Sequence, residues 1–207
     1  MDRKDFEIMA PVGSYESLYA AIQGGADAVY FGIEGLNMRA KSSNNFTTND
    51  LHQIAHICTE HGMKSYLTVN TIIYDEDISL MHKIVDAAKE ANISAIIASD
   101  MATILYARSK GVEVHISTQV NVSNTEAARF YAHYADVLVL ARELNLTQVA
   151  AIYDAIVNEN ICGPNGKLLR IEMFCHGALC MAVSGKCYLS LHEMNSSANR
   201  GACTQIC

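Results

Sequence analysis

The stretch Lys64–Ala98, KSYLTVNTIIYDEDISLMHKIVDAAKEANISAIIA, decides the fold. KSYLTVN (64–70) is an apolar run of strand length, Asp77–Ala91 is an amphipathic helix, and SAIIA (94–98) is a second strand. A strand, a helix and a strand in so short a span make a crossover unit, which joins parallel neighbours in one sheet.

The order repeats on both sides. Toward the N-terminus, EIMA (7–10) is a short strand ended by Pro11-Val-Gly13. Ser14 caps a helix over Tyr15–Gln23, which Gly24-Gly25 closes. AVYF (28–31) is the second strand. A polar loop, Glu34 to Phe46, follows with Arg39, Lys41, Asn44 and Asn45. Thr48 then caps a helix over Asp50–His61, with Leu51, Ile54, Ala55 and Cys58 on one face. Toward the C-terminus, Asp100 caps a helix ending near Lys110-Gly111, and VEVHIS (112–117) is the fifth strand. Ser123 or Asn124 caps the helix Thr125–Tyr134, and VLVL (137–140) is the sixth strand. Asn145 or Thr147 starts a helix that runs to about Asn158, and Leu169–Phe174 is the seventh strand.

Seven evenly spaced strands with six helical stretches, and no dinucleotide-type glycine fingerprint after the first, favour a (β/α) TIM-type barrel over a doubly wound sheet. Eight units close a barrel, so the expectation is an incomplete or variant one. Residues 1–168 form its units, and residues 169–207 form the last strand plus a cysteine-rich loop. The chain then reads as an N-terminal fragment of a longer protein.

Composition narrows the class. The chain has 207 residues, 50% apolar and 18% charged, which describes a folded globular protein. A net charge of −7 argues against a chain that coats nucleic acid non-specifically, but not against an enzyme that docks a folded RNA through a local patch. No apolar run reaches membrane-span length. The opening MDRKDFEIMAPVG carries no secretory leader, so the expectation is a cytoplasmic protein with reduced thiols and no membrane partner.

The last segment, RIEMFCHGALCMAVSGKCYLSLHEMNSSANRGACTQIC (170–207), holds five of the seven cysteines. Cys180, Cys187, Cys203 and Cys207 are separated by six, fifteen and three residues, among the turn formers Gly177, Ser184, Gly185, Asn199 and Gly201. Convergent thiolates favour zinc or an iron–sulfur cluster. The alternative is a set of buried apolar thiols, the reading that suits Cys58. No CxxC pair is present.

In such barrels chemistry sits at the C-terminal ends of the strands. The polar residues there include Asn70, Ser99, Asp100, Gln119, Asn121, Arg142, Glu143 and the run Glu172 to His176. Arg142 suits a carboxylate or phosphate ligand, with Glu143 as the alternative ion-pair partner. Asn70, Gln119 and Asn121 suit a small polar ligand, or else satisfy loop backbone. His176 is a candidate proton donor or ligand, and Asp100 is a helix cap before it is a catalytic acid. Thr68 and His115 alternate with apolar neighbours and are candidates to face the barrel interior. No GxSxG or HExxH constellation is present.

EMFCHGALCMAVSGKC (172–187), the opening APVGSYESLYAAIQGGADAVYFG, the segment VHISTQVNVSN, the turn LARELNL and the closing NRGACTQIC together resemble the collagenase-like peptidase family of unknown catalytic type. Cys175 departs from the pattern, where an apolar residue is expected, and the family's further C-terminal portion is not in the 207 residues. The family includes prephenate-dependent tRNA uridine hydroxylases, a ribosomal RNA cytidine hydroxylase and relatives with a four-iron, four-sulfur cluster on four cysteines. By position Cys180, Cys187 and Cys203 match cluster cysteines. Cys207 matches the fourth in one relative, while in another a later residue serves. The resemblance therefore implies an iron–sulfur-dependent hydroxylase of the tRNA wobble uridine, with a 4Fe-4S cluster and prephenate as co-substrate. Asn70, Gln119, Arg142 and His176 are the candidates for its pocket for a small carboxylate ligand; His176, Arg142 and Glu143 are the candidate catalytic residues, and Asn70, Gln119 and Asn121 the candidate substrate-binding ones. The alternatives are a collagenase-like peptidase (a protease, metal- or thiol-dependent) that hydrolyses peptide bonds and a zinc-stapled, non-catalytic module.

Overall fold

A computed structural model describes residues 2–41, 45–177 and 180–207; Asn44 of the polar loop, and Ala178 and Leu179 of the cysteine motif, lie outside the described residues. The seven strands are β1 (Met9–Pro11), β2 (Ala28–Gly32), β3 (Lys64–Val69), β4 (Ala95–Ala98), β5 (Glu113–Ile116), β6 (Val137–Val139) and β7 (Arg170–Glu172). They form one sheet in sequence order, and every neighbouring pair is parallel. The crossover helices are α1 (Tyr15–Gln23), α2 (Leu51–Glu60), α3 (Ile78–Glu90), α4 (Met101–Ser109), α5 (Thr125–Ala132) and α6 (Leu146–Asn158).

Local chemistry sets the helix starts. Ser14 and Ser17 make a reciprocal cap on α1, and Asn145 and Gln148 do the same on α6 through bonds of 2.9 and 3.0 Å. Asn145, not Thr147, is thus the α6 cap, and Asn124 caps α5 by accepting from the Ala127 amide at 2.9 Å. Thr47, rather than Thr48, anchors the turn that leads into α2, pairing with the Asp50 carboxylate.

The two outer strands are shorter than their apolar runs. β1 starts at Met9 and extends through Pro11, which an edge strand accepts because no partner needs its missing N–H. β7 stops at Glu172, and Met173 and Phe174 are exposed. Among the described residues neither strand has a second neighbour, since β1 pairs only with β2 and β7 only with β6. The sheet is therefore a seven-stranded barrel with one open seam. The Arg170 guanidinium and the Glu7 carboxylate stand 3.9 Å apart, bringing residues of its two sides together.

Side chains split by strand parity. Val29, Phe31, Leu67, Val69, Ile96, Ile116 and Leu138 pack outward against the helices in the main core. The opposite parity fills the barrel interior with Ala28, Tyr66, Ala95 and Ile97, against which Met9 and Tyr30 pack. Each fully buried Leu or Ile contributes roughly 1.5–3 kcal/mol, so the outer layer holds the sheet and the inner layer shapes its lumen. His115 faces this interior, as its alternation suggests: it is buried, 4.6 Å ring to ring from Tyr66, with Nε2 3.1 Å from Glu113. Among the described residues no helix is long and apolar enough to cross a membrane.

Candidate active site at the barrel mouth

The strand register aligns the polar residues at the C-terminal ends. Val69 pairs with Ala98, Ala98 with Ile116, Ile116 with Leu138, and Val139 with Glu172. One residue further along each of β3, β4 and β5, the row reads Asn70, Ser99, Ser117, Val139, Glu172. All five share the parity of the barrel-filling residues.

Asn70 is buried at the centre of a hydrogen-bond network. Its Oδ1 accepts from the Met38 amide at 3.0 Å, and its Nδ2 donates to Ser117 Oγ and Gln119 Oε1, both at 3.3 Å. Ser99 Oγ donates to the Asn70 carbonyl at 2.7 Å, and Ser117 Oγ also donates to Gln119 Oε1. This accounts for the Asn70 side chain within the protein and leaves Gln119 Nε2 without a partner among the described residues. Asn121 adopts φ +58, and its Nδ2 donates to the carbonyls of Gln119 (2.9 Å) and Ser184 (2.8 Å). Asn70, Gln119 and Asn121 are thus brought together. Asp100 caps α4 through the Ala102 amide at 2.9 Å and also accepts from the Ile73 amide at 3.1 Å.

The segment from Cys180 to Cys207 lies over these strand ends. It is not one loop as expected, since it contains the short helix α7 (Leu189–Met194) and a 3-10 turn at Ala198–Arg200. Arg142 fastens it at one side: Nε donates to Ser184 Oγ (3.0 Å), Nη1 to the Cys180 carbonyl (3.0 Å) and Nη2 to the Ala182 carbonyl (2.7 Å). The guanidinium is therefore a staple of this segment. Among the described residues it makes no ion pair with the exposed Glu143. At the other side Arg200 donates to Asp77 and to the Ile72 carbonyl (2.8 Å), and lies 4.0 Å over the Tyr74 ring. Arg200 holds the Asp77 carboxyl below the usual range. Asn199 Oδ1 accepts from the Cys187 amide at 3.2 Å, joining two parts of the segment. Sequence reasoning took Ser184 and Asn199 only as turn formers and gave Ser117 and Arg200 no role; the NRG triplet in the closing motif was the one pointer to Arg200.

Two glycines permit this closeness. Gly201 sits at φ +80, where a Cβ would lie 2.3 Å from the Asn37 carbonyl oxygen. Gly185 sits at φ +70, where a Cβ would lie 3.0 Å from Gln119. Only a residue without a side chain fits either position unstrained.

Of the expected metal ligands, Cys180 and Cys207 are exposed and Cys187 and Cys203 half-buried; all are free thiols. As a donor set, four accessible thiols anchored over the mouth suit a soft metal. Among the described residues no three His, Cys, Asp or Glu side chains stand close enough to hold one ion, so no ligand geometry follows from this arrangement. His176 is exposed, apart from the Asn70–Gln119 network.

Glu172, which the sequence placed among the polar strand ends without a role of its own, closes this row. It is half-buried; its carbonyl accepts from the Leu140 amide at 3.0 Å, and its carboxyl has no hydrogen-bond partner among the described residues. Burial, and secondarily the Glu7 charge, push its carboxyl up to about 7 against the opposing pull of Arg170.

The match to the family described as Peptidase family U32 covers residues 13–207. The chain belongs to that family. It is 72% identical, over all of its length and 50% of the relative's, to a protein of Porphyromonas gingivalis named collagenase. It is 34% identical to the Bacillus subtilis tRNA hydroxylation protein P1, over 97% of the chain and 46% of the relative. It is 35% identical to an Escherichia coli 23S rRNA 5-hydroxycytidine synthase, over 97% of the chain and 29% of the relative. The chain thus spans half or less of the length of these curated relatives. Among solved structures it is similar to the U32 peptidase Mk0906, with TM-score 0.60, 15% identity, and coverage of 72% of this chain and 64% of that one; this likeness bears on the fold alone.

Proposed function

We propose that this U32 chain is the barrel part of an iron–sulfur-dependent RNA hydroxylase acting on the tRNA wobble uridine, with prephenate as co-substrate. The observation that carries the reading is the similarity, over 97% of the chain, to relatives named for tRNA and rRNA hydroxylation. The arrangement at the mouth supports it, because the thiol-bearing segment is packed over the strand ends where barrel chemistry sits. Cys180, Cys187, Cys203 and Cys207 would hold the cluster, which supplies one-electron redox chemistry. Gln119, held by Asn70 and Ser117, offers its Nε2 to the ligand, and the stapled segment limits water at the mouth. The remainder of the longer protein, and tRNA, are the partners of this reading, and the cytoplasm its setting.

The second reading, peptide hydrolysis, is favoured by the name of the 72% identical relative. Against it, no histidine among the described residues is hydrogen-bonded to a serine or cysteine side chain, the pairing an activated nucleophile needs. Anaerobic purification of the wild type and of Cys187→Ala, with absorption spectra and iron and sulfide analysis, separates the readings. A brown wild type with stoichiometric iron and sulfide, lost in the variant, is expected. A colourless protein that holds zinc, or no metal, would put the zinc-stapled module and the peptidase first.

A further inference from the structure

We infer that the cleft at the N-terminal end of the barrel, opposite the mouth, binds a free amino acid, with its ammonium group against Asp136 and its carboxylate toward Lys167. The cleft has a volume of about 440 Å³ and opens where β3, β5 and β7 begin, at Lys64, Glu113 and Arg170. That volume lies in the range of small-molecule sites. The loop between α6 and β7 walls one side and is built onto Asp136. The Asn165 amide donates to Asp136 Oδ1 at 2.9 Å, the Arg170 amide to the Asp136 carbonyl at 3.0 Å, and the Gly163 amide to the Lys167 carbonyl at 2.9 Å. A Cβ at Gly163 would lie 2.5 Å from Asp136 Oδ1, so glycine lets the loop come this close. Asp136 is only 8% exposed, yet it lines the cleft, and its Oδ2 has no partner among the described residues. A carboxylate buried to that degree is costly without a cation.

The charges left over on the walls give the ligand class. Lys64 is bound to Glu7 at 2.5 Å and Arg170 to Glu113 at 2.6 Å, and Glu113 is held further by His115 at 3.1 Å. After these pairs one charge of each sign remains. They are the Asp136 carboxylate and the Lys167 ammonium, which has no partner among the described residues and makes no ion pair with Asp136. Two hydrogen-bond donors are also unspent. Ser94 Oγ accepts from the Ser65 amide at 3.1 Å, which leaves its O–H, and Asn165 Nδ2 meets only Glu113, at 3.5 Å. A cation and an anion on the walls of one cleft complement a ligand that carries both charges. A metal ion would meet the basic side chains of Lys64, Lys167 and Arg170 here, and a phosphate would meet the Asp136 carboxylate. Leu168, largely exposed on the same wall, offers apolar surface to the ligand's side chain. The cleft shares no residue with the mouth, so the inference stands independently of the RNA reading.

The test screens the protein amino acids one at a time, at millimolar concentration, by thermal melting of the whole chain, and titrates the most stabilising one by calorimetry. At least one is expected to raise the melting temperature. Asp136→Asn keeps Oδ1 as acceptor for the Asn165 amide but loses the charge. Both it and Lys167→Met should weaken binding at least about tenfold, as loss of one charge-assisted contact does. The α-hydroxy acid with the same side chain should bind wild type and Asp136→Asn alike, and the α-amide should bind wild type and Lys167→Met alike. Unliganded melts check that each variant is folded, and Lys167→Met, at an exposed side chain, decides the matter should Asp136→Asn unfold. No stabilising amino acid, or binding that neither variant weakens, overturns the inference. Loss in Lys167→Met alone, with the hydroxy acid binding as well as the amino acid, makes the cleft a plain anion site and overturns it too. Loss in Asp136→Asn alone, with the amide binding as well as the amino acid, makes it a plain amine site and does the same.

Discussion

Glu172 and Arg142 decide most at the scale of single residues. In the folded protein the Glu172 carboxyl is raised from 4.5 to about 7, first by burial and then by Glu7. Below the unfolded value both states hold the proton and there is no cost. As pH rises toward 7 the unfolded chain releases a proton that the folded chain keeps, so stability falls across that window. Glu172→Gln removes the ionisation, and the variant should be more stable than wild type at pH 8 by on the order of 2 kcal/mol, relative to the same comparison at pH 4. Urea denaturation at the two pH values reads this directly, and an equal difference at both would refute it. Arg142→Lys keeps the charge but cannot reach the three acceptors that the guanidinium serves. Hydrogen exchange in residues 180–187 should rise at least about tenfold, as expected for loss of one or two charge-assisted bonds, while β3–β5 stay protected.

Among elements, the cysteine-bearing segment depends on backbone that only glycine supplies. Gly25 and Gly201 both have positive φ, +74 and +80, but a Cβ at Gly25 meets nothing within 4 Å, whereas at Gly201 it meets the Asn37 carbonyl at 2.3 Å. Gly25→Ala therefore carries backbone strain alone, about 1 kcal/mol, while Gly201→Ala adds the clash and should cost clearly more. Thermal melts of the two variants give the comparison; equal losses would mean that the segment does not press on Asn37. The helix start at Ser14 was legible in the sequence because the cap and its partner Ser17 are three residues apart, while at α6 the sequence left Thr147 as an alternative that the Asn145–Gln148 bonds remove. The ends of β1 and β7 were not. Apolar runs mark where a strand can form, but pairing ends it, and these two strands each lack one neighbour.

For the whole molecule, the parallel barrel was legible because its signal is local and repeated: seven apolar runs with a helix between each pair. The docking of the last segment was not. It depends on Arg142 meeting Ser184 and on Arg200 meeting Asp77, contacts across 42 and 123 positions of sequence that no spacing reveals. The polar row at the mouth became readable only with the register, which sets Glu172 in line with Asn70. Family membership and the barrel are now fixed, and hydroxylation is the activity proposed for them. The most direct test incubates anaerobically prepared chain with unmodified tRNA, prephenate and an added two-electron acceptor, followed by mass spectrometry of the wobble nucleoside. The account predicts the gain of one oxygen atom by uridine with wild type and none with Cys187→Ala. Unchanged uridine with an iron-loaded wild type, together with cleavage of a collagen-type peptide by both proteins, would contradict it.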